Sequence, residues 1–164
     1  MSRKIYTAKN DRMFKATFCD EENTYLLKEF LERIYFNDIS KIKFLRSELV
    51  IKNIKSKNRM VDVLVENLKI IEYNMDRIMN FWYDEDEKNI IENLHLIILD
   101  LDIESLNKLL KDYNLSERDE LFVRMFKKKI EDLNDDDYLV SSITRDEDLM
   151  RRINSEKSMS FDED

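Results

Sequence analysis

Two stretches decide the fold that the sequence predicts, Met60-Val61-Asp62-Val63-Leu64-Val65 and Ile70-Ile71-Glu72-Tyr73-Asn74-Met75. Both are rich in β-branched and other apolar residues, a composition typical of strands. The four residues between them, Glu66-Asn67-Leu68-Lys69, suit a tight turn. The pattern therefore predicts an antiparallel hairpin formed by residues 61–65 and 70–75.

The predicted hairpin is also a candidate metal site. Side chains alternate across a strand, so Glu72 and Asn74 project from the same side. If Asp62 on the partner strand points the same way, two carboxylates and an amide converge. Hard oxygen ligands of this kind suit Mg²⁺, which can activate water beside a phosphodiester. The alternative is that acidic residues in a half-buried hairpin simply face solvent.

The chain on either side of the hairpin is predicted to be mainly helical. Helical spacing or helix-start signals mark six segments, residues 10–18, 21–35, 76–83, 103–112, 116–133 and 145–156. Ser116 and Thr144 are the predicted N-caps of the last two. Residues 41–75 follow a strand-like pattern, and the mostly apolar residues 90–101 predict a buried strand.

Composition restricts both the class of protein and its chemistry. A chain of 164 residues with 43% hydrophobic and 39% charged residues suits one folded domain. It has no glycine, one cysteine (Cys19) and one histidine, which excludes a P-loop, a nucleophile elbow and the usual structural zinc sites. It shows neither a signal region nor a membrane span, so we expect a cytoplasmic protein without a membrane partner.

The absence of glycine also affects the turns. A backbone that must enter the left-handed region does so most easily at Gly, and next at Asn or Asp. We therefore expect Asn, Asp or Lys at such positions. Residues 134–137 are the one stretch that resembles a hinge, although an acidic run of this kind is more often a solvated loop.

The net charge of −8 is unevenly distributed along the chain. Residues 135–164 hold ten acids and four bases, whereas residues 41–59 hold one acid and seven bases. A basic flank beside Asp62 would suit the phosphate backbone of a nucleic acid. Its members are Lys41, Lys43, Arg46, Lys52, Lys55, Lys57 and Arg59. The alternative is that these side chains are solvated faces of strands.

Several motifs resemble one known family. The chain opens with Asn10-Asp11-Arg12-Met13-Phe14-Lys15, then Asp20-Glu21-Glu22-Asn23 and a Leu-rich helix, and continues with Ser47-Glu48-Leu49 and the two hairpin strands. This series is similar to the opening of the Rpn-like recombination-promoting nucleases, the PD-(D/E)XK family transposases of mobile elements. The resemblance covers the first 75 residues better than the rest.

The resemblance implies an α/β (α+β) fold, a restriction-endonuclease-like core with a small mixed sheet flanked by helices and a helical C-terminal half. It implies that Asp62 and Glu72 bind Mg²⁺ and act in catalysis with Asn74, with Asp11 or Glu48 as an accessory acid. Within a single domain of residues 1–164, residues 1–83 would form the nuclease-like half and residues 84–157 the helical half, before a frayed tail at 158–164.

The sequence departs from the family pattern in ways that leave two main functions open, ahead of a purely structural or regulatory dimer. Asn74 replaces a glutamine, the hairpin loop is short, and the usual middle section is missing. The first function is a Mg²⁺-dependent DNA endonuclease. The second is a non-catalytic, anti-CRISPR-like inhibitor that binds a host nuclease or ribonucleoprotein complex, its acidic C-terminal half imitating nucleic acid. His95 lies in an apolar run and is predicted to be a semi-buried, hydrogen-bonded histidine rather than a catalytic base.

Overall fold

The computed structural model describes residues 4–35 and 73–162, with side chains as far as residue 157. All regular elements in these two ranges are helices. They are α1 (Asp11–Phe18), α2 (Tyr25–Tyr35), α3 (Met75–Tyr83), α4 (Glu87–Glu92), α5 (Leu94–Ile97), a 3₁₀ turn (Ile98–Asp100), α6 (Ile103–Asp112), α7 (Glu117–Asn134) and α8 (Asp137–Asp162). None of these helices is both long and apolar enough to cross a membrane.

The predicted α/β restriction-endonuclease-like fold with a mixed sheet is wrong, because the structure is helical where it is described. Residues 90–101 were predicted as a buried strand but form the end of α4, α5 and the 3₁₀ turn. Ile90, Leu94 and Ile97 in this run are fully buried. A helical segment that is surrounded by protein is apolar on every face, so periodicity alone does not distinguish it from a buried strand.

The predicted hairpin also ends differently from the expectation. Met75 is the first residue of α3 rather than the last residue of a strand, because the Asn74 side chain caps the helix. Residues 61–72 of the predicted hairpin, with Asp62 and Glu72, lie outside the described residues, as do Glu48 and the basic flank 41–59.

Several helix ends agree with the sequence. Helix α6 has the predicted bounds, and the Ser116 hydroxyl accepts a hydrogen bond from the Asp119 N–H at 3.2 Å as the predicted N-cap of α7. Thr144 as an N-cap is wrong. Helix α8 begins at Asp137, eight residues before the predicted start at Arg145, and the Asp136 carboxylate accepts a hydrogen bond from the Leu139 N–H at 3.1 Å. Thr144 lies inside the helix and its hydroxyl donates to the backbone oxygen of Val140 at 3.0 Å.

Helix α7 lies at the centre of the packing and contacts α1, α2, α6 and α8. Its residues Phe122 and Phe126 are fully buried, as is Phe18 of α1. The Phe18 ring lies 4.9 Å from the Phe30 ring of α2 and 6.0 Å from the Phe126 ring, centroid to centroid. These aromatic contacts join α1, α2 and α7 into one core.

A second, smaller core holds the N-terminal segment against α8. Tyr6, Met13 and Ile143 are buried together there. The Tyr6 hydroxyl reaches the Thr144 hydroxyl at 2.8 Å and donates to the Glu147 carboxylate at 3.3 Å. The first half of α8 is thus fixed to the body of the protein through residues close to the N-terminus.

The turn between α3 and α4 contains an unexpected residue. Glu85 has φ 54° and is the residue with positive φ in the described ranges. We expected Asn, Asp or Lys at left-handed positions, so that prediction is wrong here. The left-handed conformation costs a residue with a Cβ roughly 1–2 kcal/mol. The contacts on either side of the turn must offset this cost.

Candidate functional site

Asn74, predicted to act in catalysis, is a helix cap in the structure. Its side-chain oxygen accepts a hydrogen bond from the backbone N–H of Arg77 at 3.2 Å. Asn is among the best N-cap residues because this bond satisfies one of the free N–H groups at a helix start. The amide oxygen is therefore used by the backbone of α3.

Asp11, the predicted accessory acid, lies in the first turn of α1 and is exposed. Its carboxylate pairs with Lys15 one turn later, at 3.1 Å. Among the described residues, no group of three or more His, Cys, Asp or Glu side chains is arranged to hold a metal ion. The structure thus brings neither Asp11 nor Asn74 into a described metal centre, and the predicted ligands Asp62 and Glu72 fall outside the ranges that it describes.

Asp11 does line an open groove of about 770 Å³ between α1, the N-terminal segment and α8. Lys4 spans this groove and its ammonium donates to Glu147 at 2.6 Å. This bond raises the pKa of Lys4 and lowers the pKa of Glu147. Arg12 likewise pairs with Asp146 across the groove. These pairs fix α8 to the N-terminal segment and to α1, which is a structural role.

A partly buried ionic cluster joins α2 to α7. The Arg33 guanidinium lies 2.7 Å from the Asp119 carboxylate, 3.6 Å from that of Glu29, and over the Phe122 ring at 4.7 Å from its centroid. Arg118 binds Glu29 from the other side at 3.1 Å. This cluster was not predicted from the sequence, although the i,i+4 spacing of Glu29 and Arg33 was a visible signal.

His95 lies next to the ionic cluster and is 6% exposed. Its ring stands nearly perpendicular to that of Phe30, with centroids 5.9 Å apart. Burial, and then the positive charge of Arg33, lower its pKa from 6.5 to about 4. The imidazole is therefore neutral near pH 7, and it is more deeply buried than the predicted semi-buried histidine.

A strongly charged exposed surface lies where α7 passes into α8. Residues 131–138, the acidic turn, contain five acids and no base. All five are exposed, namely Glu131, Asp132, Asp135, Asp136 and Asp137. Tyr138, at 79% exposure, has the most exposed large apolar side chain in the described ranges. The hinge-like residues 134–137 of the sequence analysis thus belong to a charged surface with an aromatic side chain at its edge.

Two of these acids also have structural roles. The Asp136 side chain caps α8, and Glu131 pairs with Lys127 at 3.4 Å. Asn134, within the turn, is buried and anchors it to the N-terminal segment. The acidic turn is therefore held in place by the fold rather than by its own charges, which repel one another.

Comparison of the chain with protein-family models, with curated proteins and with solved structures finds no match.

Proposed function

We propose that this chain is a non-catalytic protein-binding module that occupies a basic, nucleic-acid-binding surface of a host nuclease or nuclease-containing ribonucleoprotein. The acidic turn is the observation that supports the proposal. Five exposed carboxylates on one turn offer a partner a dense negative surface resembling the charge of a phosphate backbone. A net charge of −8 adds long-range attraction toward a positive partner.

The exposed side chain of Tyr138 supports the proposal that the partner is a protein. Tyrosine combines a large apolar ring with a hydrogen-bonding hydroxyl, and it is enriched at the centres of protein interfaces. Here 79% of the residue is exposed, directly beside three aspartates. The ring gives the acidic turn an apolar contact that charge alone would not supply.

The endonuclease alternative rests on Asp62 and Glu72 in the sequence. The described residues give it little support, since Asn74 caps α3 and Asp11 pairs with Lys15. Nicking of supercoiled DNA with Mg²⁺ or Mn²⁺ separates the two functions. We expect no nicking by the wild-type chain, whereas nicking that disappears in Asp62→Ala would contradict our proposal.

The binding proposal is tested by displacement of nucleic acid. Purified host nucleases and nuclease ribonucleoproteins are each loaded with fluorescein-labelled nucleic acid, and the chain is titrated while fluorescence anisotropy is followed. We expect the chain to displace the label from at least one of them. Displacement should weaken as salt is raised, because exposed charges are screened.

A triple variant isolates the acidic turn, Asp135→Asn, Asp136→Asn and Asp137→Asn. Asparagine keeps the capping ability of position 136 while three charges are removed. We expect displacement to weaken by about tenfold or more. The matched control removes three exposed charges elsewhere, Glu21→Gln, Glu22→Gln and Glu92→Gln. Equal effects of the two triple variants, or no displacement from any nuclease, would contradict the proposal.

A further inference from the structure

The turn between α3 and α4 carries a second acidic surface, and this one is built around two aromatic rings. Trp82 at the end of α3 and Tyr113 after α6 have ring centroids 5.8 Å apart, with the planes inclined by 36°. We call this pair the aromatic platform. Both rings are partly buried and pack against the main core, so the core holds the platform in place.

An ammonium group already lies on the platform. The Lys108 Nζ of α6 is 5.7 Å from the Trp82 ring centroid and 3.2 Å from a carboxylate oxygen of Glu85. An aromatic face combined with a carboxylate is a combination that attracts cationic side chains and alkylammonium ligands. Lys108 thus shows, within the protein itself, that a lysine fits this site.

The platform is surrounded by further negative charge. The charges of Glu85, Asp112 and Glu87 all contribute to the raised pKa of Tyr113, after burial as the largest cause. Glu87 is fixed by accepting a hydrogen bond from the backbone N–H of Asn114 at 3.2 Å. Negative potential is therefore concentrated beside the two rings by side chains from three separate segments.

Lys108 covers the platform only loosely. Its side chain is 47% exposed and that of Glu85 is 67% exposed. An exposed pair of this kind is worth little and is easily exchanged for another cation. A lysine from a partner could therefore take the same position.

We propose that the aromatic platform binds a lysine side chain of a basic protein partner, and that Lys108 occupies this site in the free protein. The inference rests on the proposed function, because it gives the same basic partner a second point of contact. It also explains the placement of Glu85, whose carboxylate lies where it can pair with an ammonium on Trp82. Lys108 then acts as a competitor that a partner must displace.

The single tryptophan of the chain makes a direct test available, because its fluorescence reports on Trp82 alone. The probes are Nα-acetyl-lysine amide and hexalysine, with Nα-acetyl-norleucine amide as the uncharged control. The variants are Lys108→Ala, which vacates the platform, and Lys111→Ala, which removes an exposed lysine from the same helix.

We expect both lysine probes to change the fluorescence of Lys108→Ala at concentrations at least about fivefold lower than those needed with the wild type. Lys111→Ala should respond like the wild type, and adding Glu85→Gln to Lys108→Ala should weaken the response. The norleucine probe should have little effect on either protein.

Three results would overturn the inference: no response of Lys108→Ala to hexalysine, the same response in Lys108→Ala and the wild type, or an equal response to the norleucine probe. The acidic turn is unchanged in this experiment. A negative fluorescence experiment therefore does not affect the displacement result for Asp135, Asp136 and Asp137. A negative displacement experiment likewise does not affect the fluorescence result.

Discussion

The Asn134 side chain forms two hydrogen bonds with the backbone of Tyr6, one as acceptor and one as donor. Its side-chain oxygen accepts a hydrogen bond from the Tyr6 N–H at 2.8 Å, and its side-chain nitrogen donates to the Tyr6 carbonyl at 3.0 Å. The same nitrogen donates to the Ile130 carbonyl at 2.9 Å. Asn134 is 7% exposed. One buried amide within the acidic turn thus ties the N-terminal segment to the end of α7.

Replacing Asn134 should destabilise the protein strongly. In Asn134→Leu the buried N–H and carbonyl of Tyr6 lose their partner, and each unsatisfied group costs about 1–3 kcal/mol. We expect the free energy of unfolding in urea to fall by about 2–4 kcal/mol. The control Asn107→Ala, on the exposed face of α6, should change it by less than about 0.5 kcal/mol. A loss no larger than that of the control would show that the contact is unimportant.

The ionic cluster between α2 and α7 gives a second prediction. Asp119→Asn removes the carboxylate that lies 2.7 Å from the Arg33 guanidinium, whose side chain is 15% exposed. Leaving a mostly buried cation without its nearest counter-ion should cost about 2–3 kcal/mol of unfolding free energy in urea.

The matched control for this cluster is Glu120→Gln, which breaks the exposed pair of Glu120 with Arg124. Exposed pairs contribute about 0–1 kcal/mol. If both substitutions cost the same, the cluster contributes no more than a surface pair.

His95 should make stability depend on pH. Its pKa is about 4 in the folded protein and 6.5 for the ordinary side chain. Between these values the unfolded chain binds a proton that the folded protein does not. The free energy of unfolding should therefore fall as the pH is lowered from 6.5 to 4, by about 3 kcal/mol in total.

Urea unfolding of the wild type and of His95→Leu across this pH range isolates the contribution of His95. Carboxylates with lowered pKa values, such as Asp20 and Glu147, affect both proteins alike at the acidic end. The variant should lose less stability than the wild type between pH 6.5 and 4. NMR titration of the single histidine gives the pKa directly, and a pKa near 6.5 would contradict the prediction.

A substitution at Glu85 should increase the stability of the protein, unlike the substitutions above. Its φ of 54° is one that glycine adopts without a Cβ clash. Glu85→Gly should raise the free energy of unfolding by about 0.5–1 kcal/mol, since relief of strain exceeds the added entropy of the unfolded chain. Lys128→Gly, at an exposed position in the interior of α7, should lower it by about 1 kcal/mol. A loss of stability in Glu85→Gly would show that its side-chain contacts outweigh the strain.

Local signals in the sequence predicted the helices well where an amphipathic pattern and a cap coincide. Helix α6 has apolar residues on one face and Asp102 as a cap, and its predicted bounds are those observed. The Ser116 cap of α7 was predicted for the same reason. Such features depend on residues close in sequence, so a single chain is enough to find them.

Features that depend on tertiary environment were not predictable in this way. Residues 94–98 within the run 90–101 are all buried, so they have no exposed polar face and their helical period is concealed. The link between Asn134 and Tyr6 spans 128 residues, and no local pattern indicates it. Asn74 shows why the role of a site residue is hard to predict from the sequence. A side-chain amide that can bind a metal ion can equally cap a helix N-terminus.

Tyr138→Ala in the nucleic-acid displacement assay tests the central claim, that the acidic turn binds a basic protein surface, most directly. The substitution removes one ring that is 79% exposed, so the unfolding free energy should stay within about 0.5 kcal/mol of the wild type. Displacement of labelled nucleic acid from the partner nuclease should need about tenfold more Tyr138→Ala than wild type, with Tyr138→Phe between the two. Displacement by Tyr138→Ala at the wild-type concentration would contradict the claim.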